Sequence, residues 1–486
     1  MAERPILVWL RQDLRLADNP ALDAATRTGR PLLCVYVLDD QTPGRWRIGA
    51  AARWWLHHSL NALRVEIGKR GARLVLRRGR AEEQIPQLMK EVDAAAVYWN
   101  RCYEPYAIKR DAALKTAFEK AGVEAKSFNA ALLFEPWTIR TKSAGPFKVF
   151  TPFWRACLSA SVPRAPIAAP KLLNGFQGEA RSDDLRDWRL VPTRPNWAKG
   201  FEREWRPGED GAHHALDVFL KDRLRAYPEA RDMMGEAGVS KLSPHLHWGE
   251  ISPLQIWTRA QSLAARDNTL QGAIDKFLSE IGWREFSHHL LFHWPDLPEA
   301  NWRAAFDAVG WRNQEAEIEA WRRGRTGYPI VDAAMRELWT HGWMHNRARM
   351  IAASFLIKHL LVDWRVGEDW FWDTLLDADL ANNAASWQWV AGSGADASPY
   401  FRIFNPVAQG EKFDPDGVYV RTWLPEIARL PKSAIHTPWQ ASKSVLDAAN
   451  VRLGETYPAP IVEHNFARQR ALDALSVVKT PAQAKG

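Results

Sequence analysis

The feature that most constrains the fold is a change of periodicity part-way along the 486-residue chain. Before about residue 132, short apolar runs such as Ile6 to Leu10 and Leu32 to Leu38 alternate with stretches of helical spacing. Strand and helix alternation of this kind predicts a parallel sheet covered on both faces, that is, a doubly wound α/β domain. A ligand of such a domain is expected at the carboxyl ends of its strands, although no GxGxxG or P-loop pattern follows any of them.

The pattern changes again in a proline- and charge-rich segment that includes SVPRAPIAAPKLL and LVPTRPNW. This composition predicts a long connection over the surface. Beyond it, apolar residues recur at intervals of three and four, as in 346–362, which is typical of helices with one buried face. We therefore expect an α/β domain over 1–132, an interdomain connection over 133–207 and a larger all-α domain over 208–486.

The composition indicates which kind of partner the protein binds and in which cellular compartment it is expected. The net charge of +8 suits a polyanionic partner, because neutralised phosphates release counterions. Cys34, Cys102 and Cys157 are widely separated and form no CxxC or metal-ligand pattern, so neither a disulfide nor a metal site is expected. No apolar stretch approaches the roughly 18 residues of a membrane span. We expect a cytoplasmic protein without a membrane span.

Three segments of the helical domain place polar residues in apolar surroundings, and such a mismatch indicates function. In VSKLSPHLHWGEIS, hydroxyls and a lysine precede a helix start that could receive phosphate, although an ordinary helix N-cap is the commoner explanation. In GWMHNRARM, Asn346 and Arg349 share a helical face. Arg349 needs a partner if buried, and LLDADLANNAASWQWV offers Asp377 and Asp379, as a functional or a purely structural pair.

These segments resemble the DNA photolyase and cryptochrome family. WLRQDLRLADNPAL near the start, KVFTPFWRA and WREFSHHLL extend the resemblance over essentially the whole chain. It implies an N-terminal α/β antenna domain and an all-α C-terminal domain that holds FAD, in agreement with the periodicity. The activity it implies is light-driven repair of cyclobutane pyrimidine dimers in DNA, in which excited FADH⁻ lends one electron to a flipped-out dimer.

The resemblance implies an FAD pocket by position. The residues near the phosphates would be Tyr227, Ser240, Leu242 and Ser243, and those around the isoalloxazine and ribose would be Glu280, Asn346, Arg349, Asp377, Asp379 and Asn383. Val239 and Lys241 depart from the family's usual threonine and arginine. Asn383 matches the repair enzymes, whereas plant cryptochromes have aspartate at this position, so the residue favours repair over signalling.

The resemblance also implies a pocket for the dimer. Trp283 and Trp389 would be its aromatic walls, where stacking contributes roughly 1–3 kcal/mol per base, although either could be a core tryptophan. Glu280, one helical turn before Trp283, would hydrogen-bond the dimer in a protonated form and stabilise its radical anion. Asn346 and Met350 match the cyclobutane-dimer enzymes, since enzymes for (6-4) photoproducts have histidines there.

Further roles follow from the resemblance. Candidate phosphate contacts are Arg231, Arg347 and Lys412, which could equally be solvated surface charges. Candidate members of an electron-carrying tryptophan chain to oxidised flavin are Trp387, Trp364 and Trp311, which could equally be packing residues.

The segment NRCYEPYAIKRD resembles the stretch that lines the family's antenna site. Glu104 would hydrogen-bond a pterin ring there. The antenna chromophore we expect is 5,10-methenyltetrahydrofolate, with an 8-hydroxy-deazaflavin as the alternative.

The partner that these features predict is damaged DNA, bound by a monomer with no obligate protein partner. The alternative function is that of a cryptochrome-like blue-light photoreceptor. Such photoreceptors often carry a long C-terminal extension, whereas this chain ends shortly after VEHNFARQR. A flavoprotein oxidoreductase is a third reading, for which the chain has no nicotinamide fingerprint.

Overall fold

The computed structural model describes residues 3–160, 164–397, 402–476 and 478. The chain divides into two compact units. The first unit comprises the described residues up to Arg225 together with Ser240–Pro295 and Leu376–Ala381. The second comprises Ala226–Val239, Asp296–Leu375 and the described residues from Asn382 onward. The predicted domains, with limits at residues 132 and 207, are continuous in sequence, whereas each unit combines several segments. The predicted limits therefore stay a prediction.

A five-stranded parallel sheet forms the core of the N-terminal part. Its strands are β1 Ile6–Leu10, β2 Leu32–Leu38, β3 Leu74–Arg78, β4 Ala96–Asn100 and β5 Glu124–Phe128. Their order is β3-β2-β1-β4-β5, and every neighbouring pair is parallel. Every residue of β1 and β2 is buried, as expected for strands covered on both faces. The predicted doubly wound α/β domain is confirmed.

Four helices alternate with the five strands. The described chain after β5 is largely helical, which confirms the predicted all-α part. The helices, numbered in chain order, begin with α1 Pro20–Thr26, α2 Ala50–Lys69, α3 Ala81–Glu91, α4 Pro105–Lys120, α5 Phe150–Ser159, α6 Lys199–Glu204, α7 Glu209–Val218, α8 Tyr227–Ala230, α9 Ser243–His247, α10 Pro253–Ala264 and α11 Gln271–His293. They continue with α12 Glu315–Arg322, α13 Pro329–His341, α14 Asn346–Ser354, α15 Trp364–Thr374, α16 Leu380–Ala391, α17 Pro406–Phe413, α18 Val418–Trp423, α19 Lys443–Ala448 and α20 His464–Ser476. In the part of the chain that the structure describes, no helix has both the length and the apolar character of a membrane span.

The segment predicted as a surface connection contains two helices, α5 and α6. In α5 the buried residues are Phe150, Phe153, Trp154 and Cys157, at helical spacing. The proline-rich sequence that follows obscured this short amphipathic pattern. Helix α5 packs against α11, so part of the connection belongs to the core of the first unit.

Polar side chains meet at the carboxyl ends of β1 and β4, where the strand order reverses. Asn100 Nδ2 donates to Asp13 Oδ2 at 2.6 Å and to Asn19 Oδ1 at 2.7 Å. Arg11 Nη1 lies 2.6 Å from Asp111 Oδ2 on α4. These bonds pair the buried charges and hold the loop that follows β1, at the position where doubly wound sheets bind ligands.

A buried carboxylate connects distant parts of the first unit. Glu250 is fully buried, and its Oε1 accepts from Trp55 Nε1 on α2 at 3.0 Å and from the Gly208 N–H just before α7 at 2.7 Å. Its Oε2 lies 2.5 Å from His245 Nδ1 on α9. Both oxygens are therefore bonded, which is the condition under which a carboxylate can be buried.

We expect Glu250→Ala to lower the free energy of unfolding by about 3 kcal/mol, because it leaves buried donors without an acceptor. Glu250→Gln keeps an oxygen for Trp55 and Gly208 and should lose less. Urea unfolding followed by tryptophan fluorescence measures both. Equal losses in the two variants would contradict this account, because the oxygen that Glu250→Gln keeps for the two donors would then contribute nothing to stability.

Candidate active site

The predicted phosphate-binding residues Ser240 and Leu242 lie just before α9, and Ser243 is the first residue of that helix. Between them, Lys241 has a left-handed φ of 54°, which turns the chain immediately before the helix. The Lys241 ammonium pairs with Glu204 and lies 5.8 Å from the centre of the Trp205 ring. The Lys241 side chain is thus engaged by its own unit, while Ser243 is exposed.

Helix α11 presents Glu280 and Trp283 one turn apart. Trp283 is 36% exposed, which is unusual for an indole in a helix whose neighbouring apolar residues are buried. Glu280 is part-exposed, and its Oε1 lies 3.9 Å from Lys276 Nζ. The two predicted dimer contacts therefore lie on an accessible part of the same helix.

The segment between α15 and α16 places two carboxylates in buried positions. Asp377 and Asp379 are 8% and 7% exposed, and Asp379 Oδ2 lies 3.4 Å from His288 Nε2 on α11. Burial by itself would raise the pKa of Asp379, but the charge of His288 outweighs it and holds that pKa well below its usual range. Burial would likewise lower the pKa of His288, and Asp379 raises it above its usual range. Asp379 is thus a buried ionised carboxylate with an imidazolium partner.

Helix α14 carries Asn346 at its first position, and His345 caps it. His345 Nδ1 accepts from the Arg347 N–H at 3.1 Å, which requires a ring nitrogen without a proton. Burial lowers the pKa of His345 to about 4, so the ring is neutral at physiological pH. Glu337 Oε2 accepts from the His345 N–H at 3.1 Å and from the Tyr419 hydroxyl at 2.7 Å. Three elements therefore hold the start of α14 in place.

The other predicted residues of α14 differ in their surroundings. Asn346 is exposed and lies 4.0 Å from the sulfur of Met350 on the same helix. Arg349 Nε donates to the Met344 carbonyl at 2.8 Å. The two aspartates predicted to pair with Arg349 belong to the other unit, so this ion pair stays a prediction.

Two of the candidate phosphate contacts are engaged within the second unit. Arg347 Nη2 donates to Asp232 at 2.8 Å, and its guanidinium lies 4.2 Å from the Phe413 ring centre. The Arg231 guanidinium lies 5.4 Å from the ring centre of Tyr227, one of the predicted FAD contacts. Lys412 is exposed. A phosphate contact through Arg347 would have to compete with Asp232.

Helices α15 and α16 hold most of the candidate tryptophan chain. Trp364 is fully buried and its Nε1 donates to Asn301 at 2.9 Å. Trp387 is also buried, and its ring packs on Gly367, where a Cβ would come within 2.1 Å of it. Trp321, which sequence reasoning missed, lies 6.4 Å from Trp387 between ring centres. Trp321 lies on the apolar face of a helix, as a packing residue would, so the sequence did not indicate a contact with Trp387.

The remaining predicted tryptophans and Asn383 also belong to the second unit. Trp311 packs on a small cluster around Phe306, and Trp389 is half-buried. Asn383 is 7% exposed and its Nδ2 donates to the Glu368 carbonyl at 3.0 Å. This bond orients the carboxamide and leaves its oxygen as an acceptor. The order of the tryptophans as an electron path stays a prediction.

The predicted antenna residue Glu104 caps α4. Its Oε1 accepts from Gln12 Nε2 at 2.7 Å, and its Oε2 is buried without a hydrogen-bond partner among the described residues. His247 Nδ1, at the end of α9, is likewise buried without a hydrogen-bond partner among the described residues. The charges of Asp379 and Glu104 both act on the pKa of His247, which burial lowers. Buried polar atoms of this kind are normally satisfied by a bound water or a polar ligand.

Comparisons with known proteins identify the family to which the chain belongs. A model described as the FAD binding domain of DNA photolyase matches residues 277–477, and one described as DNA photolyase matches 6–171. A deoxyribodipyrimidine photo-lyase of Agrobacterium fabrum is 52% identical over 98% of both chains. The chain belongs to the DNA photolyase and cryptochrome family.

Other members of this family are also similar along nearly the whole chain. Cryptochrome-1 of Arabidopsis thaliana is 39% identical over 97% of this chain and 70% of its own length. The crystal structure of a bacterial class III photolyase from Agrobacterium tumefaciens superposes with a TM-score of 0.95, at 51% identity and 99% coverage of both chains. The predicted family and fold are confirmed.

The residues present fit the FAD that a photolyase domain binds. An ionised carboxylate such as Asp379 is a suitable acceptor for ribose hydroxyls, and the buried Nδ1 of His247, which has no hydrogen-bond partner among the described residues, is available for a polar contact. Asn383 offers an oriented carbonyl oxygen. Sequence reasoning missed His288 and His247, although histidines in the apolar runs SHHLLFH and PHLHW were a usable signal.

We expect the stability contributed by His288 to decline at alkaline pH. Because its pKa is raised in the folded protein, the contribution is complete below about pH 6.5, the unfolded value, and is lost as pH rises through the raised pKa. The difference in unfolding free energy between the wild type and His288→Gln should therefore be largest at pH 6 and shrink towards pH 9. Urea unfolding of the holoprotein at several pH values measures it.

His289→Gln is the matched control on the same helix. Burial lowers the pKa of His289 to about 4, so both the folded and unfolded imidazoles are neutral above about pH 7. Its effect on stability should not change between pH 7.5 and pH 9. The same trend in both variants would contradict the assignment of a charged His288.

Proposed function

We propose that the chain repairs cyclobutane pyrimidine dimers in DNA by light-driven electron transfer from reduced FAD. The observation that carries the proposal is Trp283, a part-exposed indole one helical turn from the carboxyl of Glu280. An aromatic surface suits the face of a flipped-out base, and a nearby carboxyl suits its polar edge. The similarity to a deoxyribodipyrimidine photo-lyase over the whole chain supports the same activity.

Five residues are proposed to contact the lesion. Trp283 and Trp389 would stack on the bases, and Asn346 with Met350 would line the pocket from α14. The exposure of Asn346 and the rigid capping of α14 by His345 support this assignment. Glu280 would donate a hydrogen bond to the dimer in its protonated form, aimed at the charge that develops there. The pocket thus combines stacking with one preorganised donor.

Bound FAD would supply the excited-state electron, which returns after the cyclobutane ring has split. Tyr227, Ser240, Leu242 and Ser243 would contact its phosphates, and Asp377, Asp379 and Arg349 its ribose and ring system. Asn383 would accept a hydrogen bond through the oxygen that its bond to Glu368 leaves available. Trp387, Trp364 and Trp311 would carry electrons inward during photoactivation. The burial of Trp387 and Trp364 supports this role by excluding water.

An antenna chromophore would bind beside Glu104. The Glu104 Oε2 that lacks a hydrogen-bond partner in the described chain is a suitable acceptor for the amino group of a pterin. We propose 5,10-methenyltetrahydrofolate as the chromophore, with an 8-hydroxy-deazaflavin as the alternative. We also propose that the enzyme acts as a cytoplasmic monomer, and that Arg231 and Arg347 contribute to DNA binding.

The first test is repair of an oligonucleotide carrying one thymine dimer by the purified holoprotein, with and without near-ultraviolet light. Repair is expected only in the light. Trp283→Ala should weaken binding of the damaged oligonucleotide by about five- to 150-fold, the equivalent of roughly 1–3 kcal/mol of stacking.

Trp339→Ala is the matched control, because Trp339 is 54% exposed and stacks on Trp370 within the second unit. It should leave damaged-DNA binding unchanged. Binding without repair, in protein that holds reduced FAD, would contradict the proposal and favour a photoreceptor of the cryptochrome kind.

A second prediction concerns Asn383→Asp. The carboxylate cannot donate to the Glu368 carbonyl and would be buried against it, so we expect it to bind a proton with a raised pKa. Light-driven repair should fall and become pH-dependent, whereas binding of damaged DNA should not change. Repair at the wild-type level across pH 6 to 9 would exclude a role for the Asn383 amide.

A further inference from the structure

The ring of Trp283 is stacked on a second aromatic ring. The ring centres of Trp283 and Phe150 lie 3.7 Å apart, and the ring planes differ by only 8°. Phe150 is the first residue of α5 and is 9% exposed, whereas Trp283 is 36% exposed. One side of the indole is therefore covered by Phe150, while much of the rest of Trp283 is accessible to a ligand.

Packing behind Phe150 holds it in this position. The Trp154 ring lies parallel to it at 6.4 Å, and the Phe286 ring meets it edge-on at 6.0 Å. Trp154 in turn lies against Gly282, the residue before Trp283, where a Cβ would come within 2.7 Å of the indole. The glycine allows α5 to approach α11 closely enough for Phe150 to reach Trp283.

The geometry of the pair is not the one that two aromatic rings choose by themselves. Ring quadrupoles favour offset or edge-on arrangements with centres 4.5–7 Å apart over a face-to-face stack. The neighbouring pairs of this cluster follow that preference, for example Trp154 with Trp257 at 6.0 Å and 78°. The packing of α5 on α11 therefore imposes the close stack of Phe150 on Trp283.

We infer that Phe150 is a positioning residue for lesion recognition, because it fixes the plane of Trp283 before DNA binds. This inference rests on the proposed role of Trp283 as a wall of the dimer pocket. A part-exposed indole without a backing ring would sample other rotamers, and ordering it on binding would reduce affinity. With Phe150 in place, a flipped-out base adds a third layer to an existing stack. The segment predicted as a passive connection thus contributes to specificity.

Phe150→Leu tests the inference, because leucine fills most of the space but provides no flat surface. We expect the dissociation constant for an oligonucleotide with one thymine dimer to rise about three- to tenfold, the cost of ordering one side chain. The dissociation constant for undamaged DNA and the repair yield per absorbed photon at saturating DNA should not change. Phe150→Tyr keeps the ring and should restore binding of the damaged oligonucleotide.

Phe153→Leu provides the matched control on the same helix. Phe153 is 2% exposed and packs on Phe286 and His289, and among the described residues its ring makes no direct contact with that of Trp283. It should lower the thermal midpoint at least as much as Phe150→Leu and leave the dissociation constant for damaged DNA unchanged. Weaker binding in both variants would assign the effect to general loosening of α5 and overturn the inference.

The double variant Phe150→Leu/Trp283→Ala separates the inference from the function on which it rests. If Phe150 acts through Trp283, adding Phe150→Leu to Trp283→Ala should not weaken binding further. The inference fails if Trp283→Ala weakens binding and Phe150→Leu alone does not, or if Phe150→Leu has the same effect in both backgrounds. If Trp283→Ala itself leaves binding of damaged DNA unchanged, the proposed dimer pocket is wrong and the inference falls with it.

Discussion

The hydrogen bonds of the buried Glu250 carboxylate are the interactions on which the first unit depends. Its two oxygens bring together α2 of the sheet domain, the chain before α7 and the start of the helical part at α9. Since a buried charge is tolerated only when fully bonded, these three segments cannot move apart independently. Residues 240–242, which directly precede α9, are therefore fixed relative to the sheet.

A second buried charge, on Asp379, shapes the candidate active site in the same way. His288 keeps this carboxylate ionised by supplying the opposite charge from α11, the helix that also carries Glu280 and Trp283. A carboxylate that is already charged and dry is a strong acceptor for the hydroxyls of a bound cofactor. The proposed cofactor contact Asp379 is thus paired with the helix that carries two of the proposed lesion contacts, Glu280 and Trp283.

The aromatic residues show how the same residue type serves different purposes. Trp364 and Trp387 are buried, whereas Trp283 is part-exposed and stacks on Phe150. From the sequence, each of these tryptophans could be either a packing residue or a functional one. Exposure and ring geometry, which depend on helices distant in sequence, distinguish the two groups.

Much of the fold could be predicted because its signals are local. The apolar runs gave β1 and β2 with their observed limits, Ile6–Leu10 and Leu32–Leu38. Helix α5 was missed, because four apolar residues at helical spacing were hidden beside a proline-rich stretch. Polar residues in apolar surroundings indicated Arg349, Asp377 and Asp379 as candidates. The roles of the site residues could be proposed only from the family resemblance, since spacing alone left each of them with an ordinary structural explanation.

The sequence by itself determined the two fold classes, the family and the residue types that the chemistry requires. Only the tertiary structure decided that Glu250 bonds three segments, that His288 lies against Asp379 and that Phe150 stacks on Trp283. Periodicity reports which face of an element is buried, but not which side chains meet there. Those contacts depend on how elements far apart in the chain pack, and packing is a property of the whole fold.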